Sequence, residues 1–166
     1  MALELNGTTG VSLVQDGVIT DANLPAGSVL QVVQNSYATQ VTNATNSFAD
    51  TGLQASITPS SVSSTILVFV SQNGCGVSPT GGGIQINLLR GATSLISFSR
   101  IAGWSDSGYT FFGSISGSHE DSPNTTSSVT YKTQFRLFTA SGTGYVQESN
   151  GGIAAASTIT LMEIAG

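Results

Sequence analysis

Residues Ser128–Phe138 read SVTYKTQFRLF. Val129, Tyr131, Thr133, Phe135 and Leu137 fall on one parity, and Thr130, Lys132, Gln134 and Arg136 on the other. Successive side chains of a β-strand point to opposite faces, so a period of two predicts a strand with one buried and one wet face. The signal recurs along the chain. "SVLQVVQ" is a candidate first strand, and "LQASITP" alternates Leu53, Ala55 and Ile57 before stopping at Pro59. "GIQINLLR" alternates Ile84, Ile86 and Leu88, "SLISFSR" alternates Ile96 and Phe98, and "YTFFGSI" alternates Tyr109, Phe111 and Ile115. "STITLMEI" sets Ile159 and Leu161 against Thr160 and Met162. "STILVFVSQ" is apolar on both parities from Ile66 to Val70, the pattern of a central strand buried on both faces. Turn-forming clusters "NGCGVSPTGGG", "GWSDSG", "ASGTG" and "SNGG" separate these runs. No stretch carries a helical apolar period, and no internal repeat suggests a solenoid or propeller. About eight or nine strands without helices predict an all-β sandwich or barrel; eight in two sheets make a jelly roll, the expected architecture for residues 28–166.

Residues 1–27 read differently. Asn6-Gly7, Asp16-Gly17 and Pro25-Ala26-Gly27 cut them into pieces too short for independent structure. Yet Leu3, Leu5, Val11, Leu13, Val18, Ile19 and Leu24 make the segment too apolar for a free linker. The expectation is an extended arm, residues 1–27, that docks on another protein.

Charge limits the partners. Only 8% of the 166 residues are charged, and Arg90, Arg100, Lys132 and Arg136 face nine acids for a net charge of −5. Nucleic acids and anionic membrane surfaces are recognised by clustered cations, so neither is an expected partner. Residues 1–10, MALELNGTTG, lack the basic and apolar regions of a signal peptide, and no apolar run approaches the ~20 residues of a membrane-spanning helix. Assembly in a cytoplasm is expected. One cysteine, Cys75, allows no intrachain disulfide and is read as a buried or loop thiol.

Candidates for chemistry are few. His119, the only histidine, is followed by Glu120 and Asp121. Read between strands at Tyr109–Gly117 and Ser128–Phe138, the trio falls in a connection rich in Asp, Ser, Pro and Asn, which is the composition of a turn. Metal ligands usually come from separate elements, and no second histidine is present. "GVSPTGGG" lacks the Lys-Ser/Thr of a phosphate-binding loop, and no nucleophile elbow occurs. No cofactor, metal or catalytic residue is expected. A carbohydrate-active enzyme remains a rival only if Glu120 and Asp121 line a cleft. The Asn6, Asn43 and Asn124 sequons match chance expectation in an Asn- and Thr-rich chain. Trp104, in "IAGWSDSGY", is read as a turn residue that either caps the sandwich or recognises a sugar or protein.

"GLQASITPSSVSSTILVFV", "DSPNTTSSVTYKTQFRLF", the terminal "STITLMEIAG", and the opening "MALELNGTTGVS" with "ITDANLPAGSVLQVVQ" together span nearly the whole chain. In this order they resemble a family of structural proteins of tailed bacteriophages, marine and cyanobacterial phages especially, labelled tail-fibre-like or virion structural. His119-Glu120 departs from that family's more apolar residues before Asp121. The resemblance implies a trimeric jelly roll of the tumour-necrosis-factor and complement type, without catalytic residues. It also implies a virion location, with the major capsid or tail protein as partner. Within such a homotrimer, Tyr131 and Phe135 are the candidate residues at the three-fold axis, the alternative being an ordinary monomer core. Two placements compete: a capsid decoration, cement or short head-fibre protein, and a tail fibre or fibre tip that binds host surface glycan. The absence of a coiled-coil or collagen-like stalk favours the capsid.

Overall fold

The structure, a computed structural model, describes residues 24–78, 82–106, 109–138, 141–149 and 155–166. Among the described residues eleven strands and no helix occur: β1 (Val29–Tyr37), β2 (Val41–Asn43), β3 (Ala49–Ile57), β4 (Thr65–Ser78), β5 (Gly82–Arg90), β6 (Thr93–Asp106), β7 (Tyr109–Phe111), β8 (Gly113–Asp121), β9 (Val129–Leu137), β10 (Thr143–Val146) and β11 (Ser157–Ile164). All pair antiparallel. One sheet runs β1-β11-β4-β8, and β10 and β2 extend it beyond the far half of β4. The other runs β3-β9-β5-β6-β7. The eight long strands therefore form two four-stranded sheets, β1-β11-β4-β8 facing β3-β9-β5-β6, which is the strand order of a jelly roll.

The period of two predicts the buried faces of β3, β5, β9 and β11, whereas in β6 it fails at Ile96, which is exposed while Leu95 packs on the core. Leu53, Ala55 and Ile57 of β3, Ile84, Ile86 and Leu88 of β5, Tyr131, Phe135 and Leu137 of β9, and Ile159 and Leu161 of β11 are all buried. Lys132, Gln134 and Arg136 face outward. β4 is central, paired to β11 on one side and β8 on the other. Its two faces differ, however. Ile66, Val68 and Val70 are buried, whereas Leu67 is half-buried and Phe69 is 42% exposed.

Two expected turns are β-bulges instead. In the "NGCGVS" stretch, Gln72 pairs with Ile115 and Cys75 with Gly113, so β4 carries one extra residue around Gly74, whose φ is +58°. In "AGWS", Ala102 pairs with Ile84 and Ser105 with Gly82, which leaves an extra residue around Gly103 at φ +65°. Glycine reaches this backbone region without steric cost, so the ladder continues past the kink. The two bulges nest: a Cβ on Gly103 would run into the Cys75 carbonyl. Both strands consequently reach 14 residues.

The apolar core has two lobes. One gathers around Leu53, Val68, Tyr131 and Leu161, the other around Val77, Ile86, Phe135 and Val146. A fully buried polar rung divides them. The Thr51 and Thr133 hydroxyls lie 2.6 Å apart. Thr133 Oγ1 donates to Gln72 Oε1 at 2.9 Å, and Gln72 Nε2 donates to Ser157 Oγ at 2.9 Å. Gln147 Nε2 reaches the same Ser157 oxygen at 3.1 Å. Each strand contributes one member, so the rung sets the relative register of β3, β9, β4 and β11.

Thr133→Val keeps the shape but leaves Gln72 Oε1 buried without its donor. It should lower stability by about 1–3 kcal/mol. In urea unfolding the midpoint should fall while the slope stays unchanged.

Candidate functional site

His119, Glu120 and Asp121 lie on β8, not in a connection; the turn begins at Ser122, and Asn124 in it has φ +52°. They pair with Val68, Leu67 and Ile66 of the central strand β4. The sequence reading placed the turn too early because Asp-Ser-Pro follows directly. Strand geometry sends Glu120 outward and His119 and Asp121 to the other face, so the three side chains cannot converge. Asp121 has a structural task. Its Oδ2 accepts from Arg90 Nη1 at 2.7 Å and from the Tyr131 hydroxyl at 2.6 Å. The three residues come from β8, β5 and β9, so the ion pair clamps the two sheets together at one end. Burial and the bond to Asp121 push Tyr131 well above the usual phenol range, and it stays a donor. Among the described residues no group of three or more His, Cys, Asp or Glu could hold a metal.

Glu163 of β11 gave no signal in the sequence, yet it is fully buried. Gln31 Nε2 donates to its Oε2 at 2.6 Å, and the Ser60 amide and hydroxyl both donate to its Oε1 at 2.7 Å. Gln31 also holds the Thr58 carbonyl at 2.8 Å. The carboxylate thereby fastens the loop of residues 58–64 to β1 and β11. Burial acts to raise its pKa, but the hydrogen bonds from Gln31 and Ser60 help hold it below the ordinary 4.5.

One exposed face with apolar residues is the outer face of β1-β11-β4-β8. Its side chains align in rows across the sheet. One row is Val32, Met162, Leu67 and Glu120; the next is Gln34, Thr160, Phe69 and Ser118; the third is Ser36, Thr158, Ser71 and Ser116. Val29, beside Ile164, continues the apolar end. Val29 is 47% exposed and Val32 55%. Glu120, at the β8 edge, is the one charge on these rows. A shallow depression of about 430 Å³ opens beside Phe69, rimmed by Ser71, Ser116, Ser118, Thr158 and Thr160. Apolar residues on both parities of β4 are the sequence signal of this face; they predict a strand buried on both sides, and Phe69 is instead exposed.

The expected recognition residues fall as follows. Tyr131 and Phe135 are fully buried in the two core lobes of the single chain, so they are withdrawn as trimer-axis residues: their face of β9 points into the sandwich. Trp104 lies within β6, its backbone paired with Phe111, and not in an apical turn, because the Gly103 bulge lets the strand continue. Leu3, Leu5, Val11, Leu13, Val18 and Ile19 lie outside the described residues. Leu24 is half-buried just before a turn in which Ser28 N donates to the Pro25 carbonyl and Gly27 N to the Ala165 carbonyl. The chain enters the sandwich there, at the end that carries the Arg90–Asp121 clamp; Trp104, β7, β10 and β2 lie at the opposite end. Cys75 is buried, and desolvation pushes its thiol up to about 12, which removes it as a nucleophile at neutral pH.

The lowered Glu163 pKa makes its contribution pH-dependent. A depressed folded-state pKa gives stability that is present above the unfolded value and lost as pH falls through the folded one. Glu163→Gln should therefore cost about 1–3 kcal/mol at neutral pH. The gap to the native chain should close in urea titrations taken progressively below the ordinary value of 4.5. No protein-family model matches the chain, and no curated protein sequence matches it.

Proposed function

We propose that this chain is a non-enzymatic structural protein of a tailed-phage virion. It assembles as a homotrimer and serves as a capsid decoration or short head-fibre protein held by its N-terminal arm. The observation that carries this reading is the outer face of β1-β11-β4-β8. In a chain of net charge −5, copies repel one another wherever acids meet. This face bears Val29, Val32, Leu67, Phe69 and Met162, with Glu120 as its single charge at the rim. A second copy can therefore cover it without like-charge cost, and burying it withdraws apolar surface from water.

A face-to-face pair would leave the β8 edge open, since β8 pairs only with β4. A closed ring sets the β8 edge of each copy against the face of the next and covers both, and three subunits match the trimer that the sequence resemblance implies. The family resemblance supports the virion setting. The entry of the chain at Leu24, opposite the Trp104 end, supports an arm that anchors one end while the other projects.

The full-length chain should sediment at three times its 16.9 kDa mass. Phe69→Asp should yield a folded monomer, with association weakened by about 100-fold or more because an unpaired charge would be buried. A native chain that stays monomeric, as when its own arm covers the face, or a trimeric Phe69→Asp variant, sinks the self-association reading. In purified particles, a copy number near that of the shell protein supports decoration. A handful of copies moves the protein to a tail or a unique vertex.

A further inference from the structure

We infer that the outer face of β3-β9-β5 holds a binding site for a neutral saccharide, centred on Gln54, Lys132 and Gln134 above a Leu89 floor. This inference stands without the trimer reading, because the site lies on the opposite sheet from the proposed contact.

A depression of about 500 Å³ opens here, and Gly91, Ala92 and Thr130 complete its rim. Small-ligand sites run from about 300 to 1,000 Å³. The Asp50 carboxylate organises one side. It accepts from Lys132 Nζ at 2.9 Å and from Gln134 Nε2 at 2.7 Å. Burial opposes its ionisation, yet those two bonds hold its pKa below the ordinary carboxylate value. Lys132 and Gln134 are thus drawn toward Asp50 on one side of the depression, which favours the arrangement a ligand would meet.

The remaining valences alternate. Lys132 has further N–H donors, Gln134 has its Oε1 acceptor, and the Gln54 side-chain amide offers both types, with no partner among the described hydrogen bonds. A sugar hydroxyl donates one bond and accepts others, so neighbouring hydroxyls need donors and acceptors interleaved in this way. Leu89, 6% exposed, gives an apolar floor for ring C–H groups.

Other ligand classes fit less well. Asp50 neutralises Lys132, and Arg136 is taken by Gln85 Oε1 at 2.8 Å and by stacking 4.8 Å from the Phe48 ring, so among the described side chains of this site no free cation awaits an anion. Only Leu89 and Ala92 are apolar, too few for a hydrophobic ligand. The absence of an aromatic platform in the rim makes single-site binding weak, in the millimolar range where ligand-observed methods work.

Saturation-transfer NMR on the full-length chain, with the methyl glycosides of glucose, galactose, mannose and N-acetylglucosamine as probes, tests the site. At least one probe should show transfer. In Gln54→Ala/Gln134→Ala the apparent affinity should fall about tenfold, the loss of two hydrogen bonds, and Phe69→Asp should leave it unchanged. Should the double variant melt early, Gln54→Ala alone serves, since that side chain holds nothing in the fold. Transfer to none of the four probes overturns the inference, as does transfer that the Gln54 and Gln134 variants leave intact.

Discussion

The buried polar rung through Thr51, Thr133, Gln72 and Ser157 is the constraint on which the rest of this sandwich depends. Apolar contacts alone tolerate a sliding of one sheet on the other, because dispersion and burial have little direction. A chain of buried hydrogen bonds does not, because a slip of one residue would strand several polar groups in the core. Each member comes from a different strand, so satisfying the rung aligns both sheets. The Arg90–Asp121–Tyr131 clamp performs a similar task at one end, and the Glu163 carboxylate holds the adjoining loop.

The glycines at 74 and 103 show how local chemistry is reinterpreted by its surroundings. Both sit in text that reads as a turn. In the fold both adopt positive φ, but the flanking residues find ladder partners, so each turn signal becomes a bulge within a long strand. The kinks lie against each other where β4 and β6 approach, and this close approach admits no side chain at Gly103. The bulges let two strands bend from the main sheets toward β10 and β7, and so shape the end of the molecule away from the chain's entry.

The two outer faces divide the surface by chemistry. On β1-β11-β4-β8 the outward residues are apolar or hydroxylic, with the Gln34 amide among them, and almost uncharged, which suits the proposed contact with another copy. On β3-β9-β5 they are amides, hydroxyls and paired charges, which keep their hydrogen-bonding capacity in water. The proposed assembly would hide the first face and present the second, in keeping with the small number of charges in the chain.

Alternation of apolar residues by two was enough to establish the all-β class, seven of the eight long strands and most of the core, because side-chain direction in a strand depends only on parity; the run Tyr109–Gly117, read as one strand, is instead β7 in one sheet and the start of β8 in the other. The apolar run on both parities of β4 was legible as a central strand for the same reason. Parity does not say where a strand ends. His119 and Glu120 were read into a turn, and Trp104 into another, because turn-forming residues stood beside them; hydrogen bonding across the sheet overrode those local preferences. Nor does parity distinguish a face buried by the opposite sheet from one left exposed. Tyr131 and Phe135 proved to be interior, while Val32, Leu67 and Phe69 are the ones left outside, and only the stacking of the two sheets decided that. The Asp50–Lys132–Gln134 cluster and the Glu163 carboxylate join residues separated by 82 to 132 positions, a proximity that strand pairing creates and no spacing along the chain announces.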